Sequence, residues 1–228
     1  MPLTEQGIDF LWELSLNNER PWFQAHREEY RRLVETPFKE LAEAVRARLD
    51  QRWPEESLSL RVSRIYRDAR RLFGRGPYHD HLWFSLQRQG AERQGPMLWF
   101  EFGVEGSSHG AGFWNCTARQ AELYRANIDR DPEGFAALVL GIPDREKSRL
   151  WGEEYKRPKG DRGELLNPWY NRKEPSVGYE NYFGQGLFAQ DLPERLAESF
   201  GGLMPMYRFF RKIYEESLKE NSNFMNKL

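Results

Sequence analysis

Residues that share one face recur at helical spacing along the first third of the chain. Three runs, 8–14, 22–33 and 38–49, repeat their apolar side chains every three or four positions. Thr36-Pro37 supplies a cap and a first-turn proline for the third run, and Trp53-Pro54 ends it. We therefore predict N-terminal helices, of which the last is amphipathic and packs one face on the rest of the protein.

The pattern changes to alternation after these helices. Apolar and polar residues alternate from Leu58, which predicts a strand over 58–66. Two aromatic-rich runs, 81–86 and 97–104, predict a hairpin with a long loop, and 111–116 predicts a fourth strand. No helical stretch between these strands is long enough for a parallel crossover, so we predict antiparallel pairing.

Helices return in the second half of the chain. Capping residues predict two of them, starting at Thr117 and Asp131. The segment 142–190 has no regular period but keeps many aromatic residues, which disordered linkers rarely do, so we predict an ordered layer of loops and strands. Two more helices are predicted over 192–200 and 203–218.

This order of elements predicts an α+β fold. We expect a mainly antiparallel sheet of about four to six strands, flanked by N-terminal and C-terminal helices. A chain of 228 residues suits one domain with its own core, so we expect a single domain over 1–228, in which 220–228 form a frayed tail.

Charge and cysteine content narrow the function. The chain has 34 Lys and Arg against 35 Asp and Glu, a balance that argues against a protein that coats nucleic acid or an anionic membrane. Cys116 is the single cysteine, which excludes an intrachain disulfide. The sequence shows no secretory signal or membrane-length apolar segment, so we expect a cytoplasmic protein without a membrane partner. Nothing in it indicates an oligomeric state or a cofactor.

Six arginines lie close together between Leu60 and Tyr78. They occupy positions 61, 64, 67, 70, 71 and 75, with Asp68 as the acid among them. Guanidinium groups at this density face solvent, pair with acids from elsewhere or converge on an anionic ligand. Continued alternation would place Arg64, Tyr66 and Asp68 on the buried side and Arg61 and Arg67 on the other.

Two interpretations of this segment stay open. Arg64 with Tyr66, at a strand end beside a glycine-rich loop, favours an anion clamp. Alternatively, Asp68 and other acids pair with the arginines and hold the loop. A second basic segment, 152–161, offers charges that a solvated surface turn would also explain. The candidate ligand-binding residues are Arg64, Tyr66, Arg67, Asp68, Tyr78, Lys156 and Arg157.

Three residues are candidate catalytic groups. His26, between aromatic neighbours, is either a shielded base or a histidine at the edge of the core. Asp68 would position an arginine or act in proton transfer. Glu101, also among aromatics, is either the partner of an arginine or a base with a raised pKa. Whether the protein is an enzyme remains open.

The sequence contains only weak indications of a metal site and none of the common nucleotide-binding or hydrolase motifs. His79 and His81 face the same way on a strand and are weak candidate metal ligands, but a third ligand would have to come from an unlinked position such as His26 or His109. We therefore predict no metal site. Cys116 follows an apolar run and is expected to be a structural thiol. The sequence contains no P-loop, dinucleotide-binding glycine pattern, Gly-x-Ser-x-Gly elbow or His-Glu-x-x-His motif.

A multi-part pattern connects these segments. Its members are Asn17-Asn18, Trp22-Phe23, His26, Tyr30, 64–68, Pro77-Tyr78, 110–114, 152–154, Lys156-Arg157 and Gly160. Together they resemble the uncharacterised domain-of-unknown-function family 2461 of bacteria and fungi. The resemblance covers nearly the whole chain, and it implies one domain and no known activity.

We expect a cleft lined by Arg, Lys and Tyr that binds a phosphate- or carboxylate-bearing small molecule. Arg64, Arg67 and Lys156 would hold the anion. Tyr66 or Tyr78 would orient it. The first alternative is a protein-interaction or scaffold domain with a structural arginine network. The second is nucleic-acid binding, which the acidic balance elsewhere opposes.

Overall fold

A computed structural model of the chain describes residues 2–68, 70, 72, 74–91 and 94–225, without the side chains of 221–225. Its strands are β1 (Leu58–Val62), β2 (His81–Arg88), β3 (Met97–Gly103), β4 (Gly106–Gly112), β5 (Arg149–Trp151) and β6 (Ser176–Glu180). Within the described residues these strands form one six-stranded antiparallel sheet, in the order β1-β2-β3-β4-β6-β5. With helices at both ends of the chain, the predicted α+β fold is confirmed.

The helices fall into an N-terminal and a C-terminal group. They are α1 (Glu5–Leu16), α2 (Arg20–Ala25), α3 (Arg27–Tyr30), α4 (Thr36–Arg52), α5 (Ala118–Arg130), α6 (Pro132–Leu140), α7 (Gly163–Tyr170) and α8 (Leu192–Met225). A π-helical turn, Arg31–Glu35, joins α3 to α4, and short 3₁₀ turns lie at Pro54–Glu56, Arg145–Lys147 and Gly184–Phe188. None of the described helices is both long and apolar enough to cross a bilayer.

Capping explains where several helices begin. Thr4 accepts a hydrogen bond from the backbone of Gly7 and starts α1. Thr117 and Gln120 satisfy each other's backbone N–H groups in the predicted capping box of α5. Asp131 caps α6, whose first residue is proline.

The first predicted strand ends early. β1 stops at Val62 because the side chain of Ser63 takes over the pairing: its hydroxyl accepts from the N–H of Trp83 at 2.9 Å. Antiparallel pairing resumes at the bridge between Tyr66 and Tyr78, beside which Arg67 N–H donates to the Pro77 carbonyl. This interruption shifts the alternation by one residue.

Three other boundaries differ from those predicted. The fourth strand spans Gly106–Gly112 rather than 111–116, since a Gly- and Ser-rich sequence pairs here despite low β propensity. Helix α7 lies inside the segment predicted as loops and strands. The two predicted C-terminal helices are one, because α8 continues through Pro205 while keeping a buried face. Arg71 and positions 226–228 of the predicted tail lie outside the described residues.

The chain divides into two compact units. Unit 1 comprises Met1–Leu86, Trp99–His109 and Glu180–Glu198, and unit 2 comprises Gln87–Leu98, Gly110–Tyr179 and Ser199–Leu228. The expectation of one domain over 1–228 stays a prediction.

The core of unit 1 contains the predicted amphipathic helix. Phe38 on α4 is fully buried, and its ring centroid lies 5.8 Å from Phe84, 6.1 Å from Phe100 and 6.4 Å from Phe102. Burying one such side chain contributes about 1.5–3 kcal/mol. This cluster fixes α4 to β2 and β3.

The core of unit 2 is also aromatic. Phe135 on α6 contacts Tyr124, Trp169 and Phe209 with ring centroids 4.8–5.9 Å apart. The buried hydroxyl of Tyr124 donates to the carbonyl of Trp169 at 3.2 Å. Helices α5, α6, α7 and α8 thereby share one core.

Candidate functional site

An aromatic cluster of unit 1 connects α2 with the segment that follows β1. Phe23 stacks on Tyr78 with ring centroids 4.2 Å apart and an interplanar angle of 26°. Tyr66 presents its ring to both, 5.8 Å from Phe23 and 5.2 Å from Tyr78. Tyr30 completes the cluster at 5.3 Å from Phe23. Phe23, Tyr30 and Tyr78 are buried, whereas Tyr66 is 54% exposed.

Asn18 holds this cluster in place. Its side-chain oxygen accepts from the Tyr78 N–H at 2.9 Å, and its amide nitrogen donates to the Tyr78 carbonyl at 3.0 Å. Gly76 permits the approach, because a Cβ there would lie 2.3 Å from the amide carbon of Asn18. A single side chain thus mimics a strand partner for Tyr78.

The larger of two clefts beside this cluster has a volume of about 730 Å³. Its described lining includes the cations Arg27, Arg31, Lys39 and Arg64 and the acids Glu28 and Glu35. Lys39 pairs with Glu35 at 2.6 Å. In the part of the chain that the structure describes, Arg27, Arg31 and Arg64 have no ion-pair partner, so the cleft carries positive charge that the fold does not neutralise.

The smaller cleft has a volume of about 310 Å³. Its described lining contains three arginines and no acid; the residues are Arg20, Phe23, Gln24, Arg27, Tyr66, Arg67, Leu72, Pro77 and Tyr78. Phe23, Arg27 and Tyr66 line both clefts, and we call these three residues the shared wall. The smaller cleft therefore combines aromatic and apolar side chains with cationic groups.

Arg64 lies on the face opposite to that predicted. It is exposed and lines the larger cleft, while Ile65 is buried in the position that alternation assigned to Arg64. The shift follows from Ser63, whose side chain replaces one step of the backbone ladder. Tyr66 and Asp68 are likewise exposed rather than buried.

Arg67 points toward the protein and is committed to structure. Its side chain is only 11% exposed, its Nε donates to the Tyr78 carbonyl at 2.7 Å, and its guanidinium lies 3.6 Å from Asp80. Arg67 and Asn18 therefore bind the same carbonyl oxygen. Although Arg67 lines the smaller cleft, its Nε and its charge already hold the 78–80 segment.

Asp68 is used locally. Arg70 donates Nε to one carboxylate oxygen at 3.0 Å and a terminal nitrogen to the other at 2.8 Å, and the Arg70 N–H also binds this carboxylate. This fork matches the predicted alternative in which acids hold the arginine loop. Asp68 lines neither cleft.

Tyr30 and Tyr78 keep their protons near neutral pH. Burial raises the pKa of Tyr30 well above its ordinary value, and the charges of Glu35 and Tyr66 act in the same direction. Burial and Tyr66 also raise the pKa of Tyr78. Tyr30 lies just before the π-helical turn and lines the larger cleft.

Lys156 and Arg157 belong to unit 2. Residues 153–155 pair with 171–173 there: Tyr155 N–H donates to Asn171 and Lys173 N–H donates to Glu153. Gly152 has φ +109°, and a Cβ there would lie 2.2 Å from a backbone oxygen. Lys156 and Arg157 are exposed on this turn. Their joint action with Arg64 stays a prediction.

The histidine candidates lie outside both clefts. His26 stacks on Trp22 at 4.1 Å, and its Nδ1 is 2.8 Å from the Trp22 carbonyl, an arrangement typical of a histidine at the core edge. His79 and His81 contact edge to face at 5.0 Å, and His81 binds Asp80. Among the described residues, no group of three or more side chains is arranged to hold a metal ion.

Two candidate groups, His79 and Glu101, have shifted pKa values. Burial, together with the charges of His81 and Arg67, lowers the pKa of His79 to about 4, and its buried Nδ1 has no hydrogen-bond partner. Burial raises the pKa of half-buried Glu101. Glu101 lines neither cleft, so its perturbation belongs to the sheet and not to the candidate site.

Arg20, Arg27, Arg31, Lys39 and Tyr30 were missed as site residues. The sequence carried a partial signal, because Arg27 and Arg31 are four residues apart, a spacing that places side chains on one helix face. Only the fold reveals that this face borders Arg64 and Tyr66.

The sequence of the chain was compared with models of known protein families. The family model described as "Conserved hypothetical protein (DUF2461)" matches residues 6–209, a range that includes both clefts and the basic turn of unit 2. The match confirms the resemblance found in the sequence. A search of curated proteins returns no match to the chain.

Replacing Asn18 with alanine is expected to destabilise the fold by about 1–3 kcal/mol, because the Tyr78 N–H is left buried without a partner. Urea unfolding of wild type and variant measures the difference. The matched control is Asn17→Ala, which removes one exposed side-chain bond to Glu13. Equal losses in both variants would show that the Asn18 bonds carry no special stability.

Acidification is expected to destabilise the protein between about pH 6.5 and pH 4, since the unfolded state binds a proton that His79 excludes in the folded state. Buried His109, whose pKa is lowered to about 3, acts in the same direction. Unfolding free energies measured from pH 7 to pH 4.5 should fall less steeply in His79→Gln, with His109 retained. An unchanged slope would contradict the lowered pKa of His79.

Proposed function

The chain belongs to this family of conserved hypothetical proteins, DUF2461, and we propose that unit 1 of the chain binds a small molecule that carries phosphate or carboxylate. The observation that supports the proposal most is the presence of Arg27, Arg31 and Arg64 in one cleft, without ion-pair partners among the described residues. Structural arginines in proteins normally find an acid or a carbonyl, as Arg67 and Arg70 do here.

The energetics favour a ligand with concentrated negative charge. Hydrogen bonds to charged groups contribute about 1.5–3 kcal/mol each, and a guanidinium can bind a phosphate or carboxylate through two parallel bonds. A cleft about 730 Å³ in volume lies within the range of small-molecule sites. One bound anion would also relieve the repulsion between the guanidinium groups that line the cleft.

Each residue receives a distinct role in this proposal. Arg27, Arg31 and Arg64 bind the anion, and the neutral hydroxyl of Tyr30 donates to it. Arg67 positions Tyr78 and does not itself bind the ligand. Lys156 and Arg157, exposed on a turn of unit 2, receive no role in this site of unit 1. A cytoplasmic location is part of the proposal and rests on the lone cysteine. We propose binding and no chemical step.

A scaffold role is the second candidate. It is favoured by Arg67 and by the Asp68–Arg70 fork, in which arginines stabilise loop structure without any ligand. Exposed apolar side chains on α1, Trp12 and Leu16, would contact a protein partner in this case. Under this hypothesis, removing Arg64 would leave anion affinity unchanged.

Calorimetric titration with pyrophosphate and with citrate tests the proposal. Wild type is expected to bind at least one of them, and Arg64→Gln is expected to bind it about tenfold more weakly through the loss of charge-assisted hydrogen bonds. The matched control is Arg61→Gln, an exposed arginine of β1 that lines neither cleft and should behave as wild type.

Thermal unfolding provides a second readout for the same variants. A ligand at 100 times its dissociation constant stabilises the folded state by about 2.7 kcal/mol, and that gain should shrink in Arg64→Gln. Absence of binding by either anion to wild type, or equal affinities in wild type and Arg64→Gln, would refute the assignment of this cleft.

A further inference from the structure

The ring of Tyr66 is both exposed and held in a fixed orientation. Tyr66 is 54% exposed, although it is a large aromatic side chain. Phe23 contacts it at an interplanar angle of 73° and Tyr78 at 53°, so neither of these neighbours stacks on it. The bridge between Tyr66 and Tyr78 fixes the backbone beneath the ring. An exposed and preorganised aromatic face is a stacking surface.

The two clefts that Tyr66 lines differ in chemistry. The described lining of the smaller cleft contains Leu72 and Pro77 beside three aromatic rings, together with three arginines. The larger cleft carries the arginines without partners. Arg27 and Tyr66 lie in the wall that the clefts share. A ligand that occupies both therefore needs a planar apolar part joined to an anionic part.

We infer that the ligand of this site is a phosphate ester of a planar heterocycle, of the mononucleotide class. Its ring stacks on Tyr66 in the smaller cleft, and its phosphate binds Arg27, Arg31 and Arg64 in the larger one. The inference rests on the proposed anion-binding function and specifies in addition that the ligand carries a planar heterocyclic ring. A volume of about 310 Å³ suits one ring system, and the larger cleft accommodates sugar and phosphate.

Charge and stacking act together in this arrangement. The planar guanidinium of Arg27 in the shared wall is available to stack on a base or to bind phosphate. The described lining of the larger cleft, which would hold the phosphate, has four cations against the two acids Glu28 and Glu35, and Glu35 is paired with Lys39. A free sugar phosphate would use only the larger cleft, so the ring should increase affinity.

The test compares adenosine 5′-monophosphate, ribose 5-phosphate and adenosine by calorimetric titration. Wild type is expected to bind the nucleotide about tenfold more tightly than the sugar phosphate, the gain typical of one base stacked on an aromatic residue. Adenosine alone, without an anion for the arginines, is expected to bind more weakly than the nucleotide.

Variants at Tyr66 separate stacking from other roles. Tyr66→Leu should lose about tenfold in nucleotide affinity and keep the affinity for ribose 5-phosphate, whereas Tyr66→Phe retains the ring and should bind the nucleotide as wild type does. Circular dichroism and thermal unfolding of both variants verify that each is folded.

Three results would overturn the inference. Equal affinity of wild type for nucleotide and sugar phosphate would refute binding of the heterocyclic ring and leave the proposed anion site unaffected. A Tyr66→Leu variant that binds the nucleotide as wild type does would exclude stacking on this residue. Failure of both phosphates to bind, with no response to pyrophosphate or citrate, would refute the proposed function itself.

Discussion

The pair of hydrogen bonds between the Asn18 side chain and the backbone of Tyr78 is the constraint on which the candidate site depends. It joins positions 60 residues apart, and it requires Gly76, whose missing Cβ leaves room for the amide. With Tyr78 held there, Phe23 has a ring to stack on and Tyr66 has a partner across the bridge. The connection therefore supports Phe23 and Tyr66, two of the three residues of the shared wall.

The same connection divides the arginines by role. Arg67 turns inward because the carbonyl of Tyr78, already bound by Asn18, offers a second acceptor position. Arg70 binds Asp68 in its own loop. Arg27, Arg31 and Arg64 lack such partners within the described residues, and all three line the larger cleft. The arginine cluster between Leu60 and Tyr78 is thus partly structural. Of the three arginines available for binding, only Arg64 belongs to that cluster, while Arg27 lies on α3 and Arg31 on the π-helical turn.

Sequence periodicity predicted the elements whose burial is regular and failed where one side chain changes the register. The buried face of α4 and the capping box of α5 follow from spacing and cap chemistry. The face on which Arg64 lies was predicted wrongly, because alternation assumes an unbroken ladder of backbone hydrogen bonds and the Ser63 hydroxyl interrupts that ladder. Strand β4 was placed too late since glycine and serine carry little β propensity. In the sequence Arg27 and Arg31 look like ordinary helix-surface residues, because periodicity does not show that α3 and the π-helical turn lie beside Arg64.

Direct observation of a bound anion tests the central claim, that the arginines without partners in unit 1 form an anion-binding site. Crystals of the full chain soaked in tungstate, a phosphate-like anion with strong anomalous scattering, would locate it. We expect an anomalous peak in the larger cleft, within hydrogen-bonding distance of Arg27, Arg31 or Arg64. A peak only on the turn with Lys156 and Arg157, or no peak in the larger cleft, would contradict it.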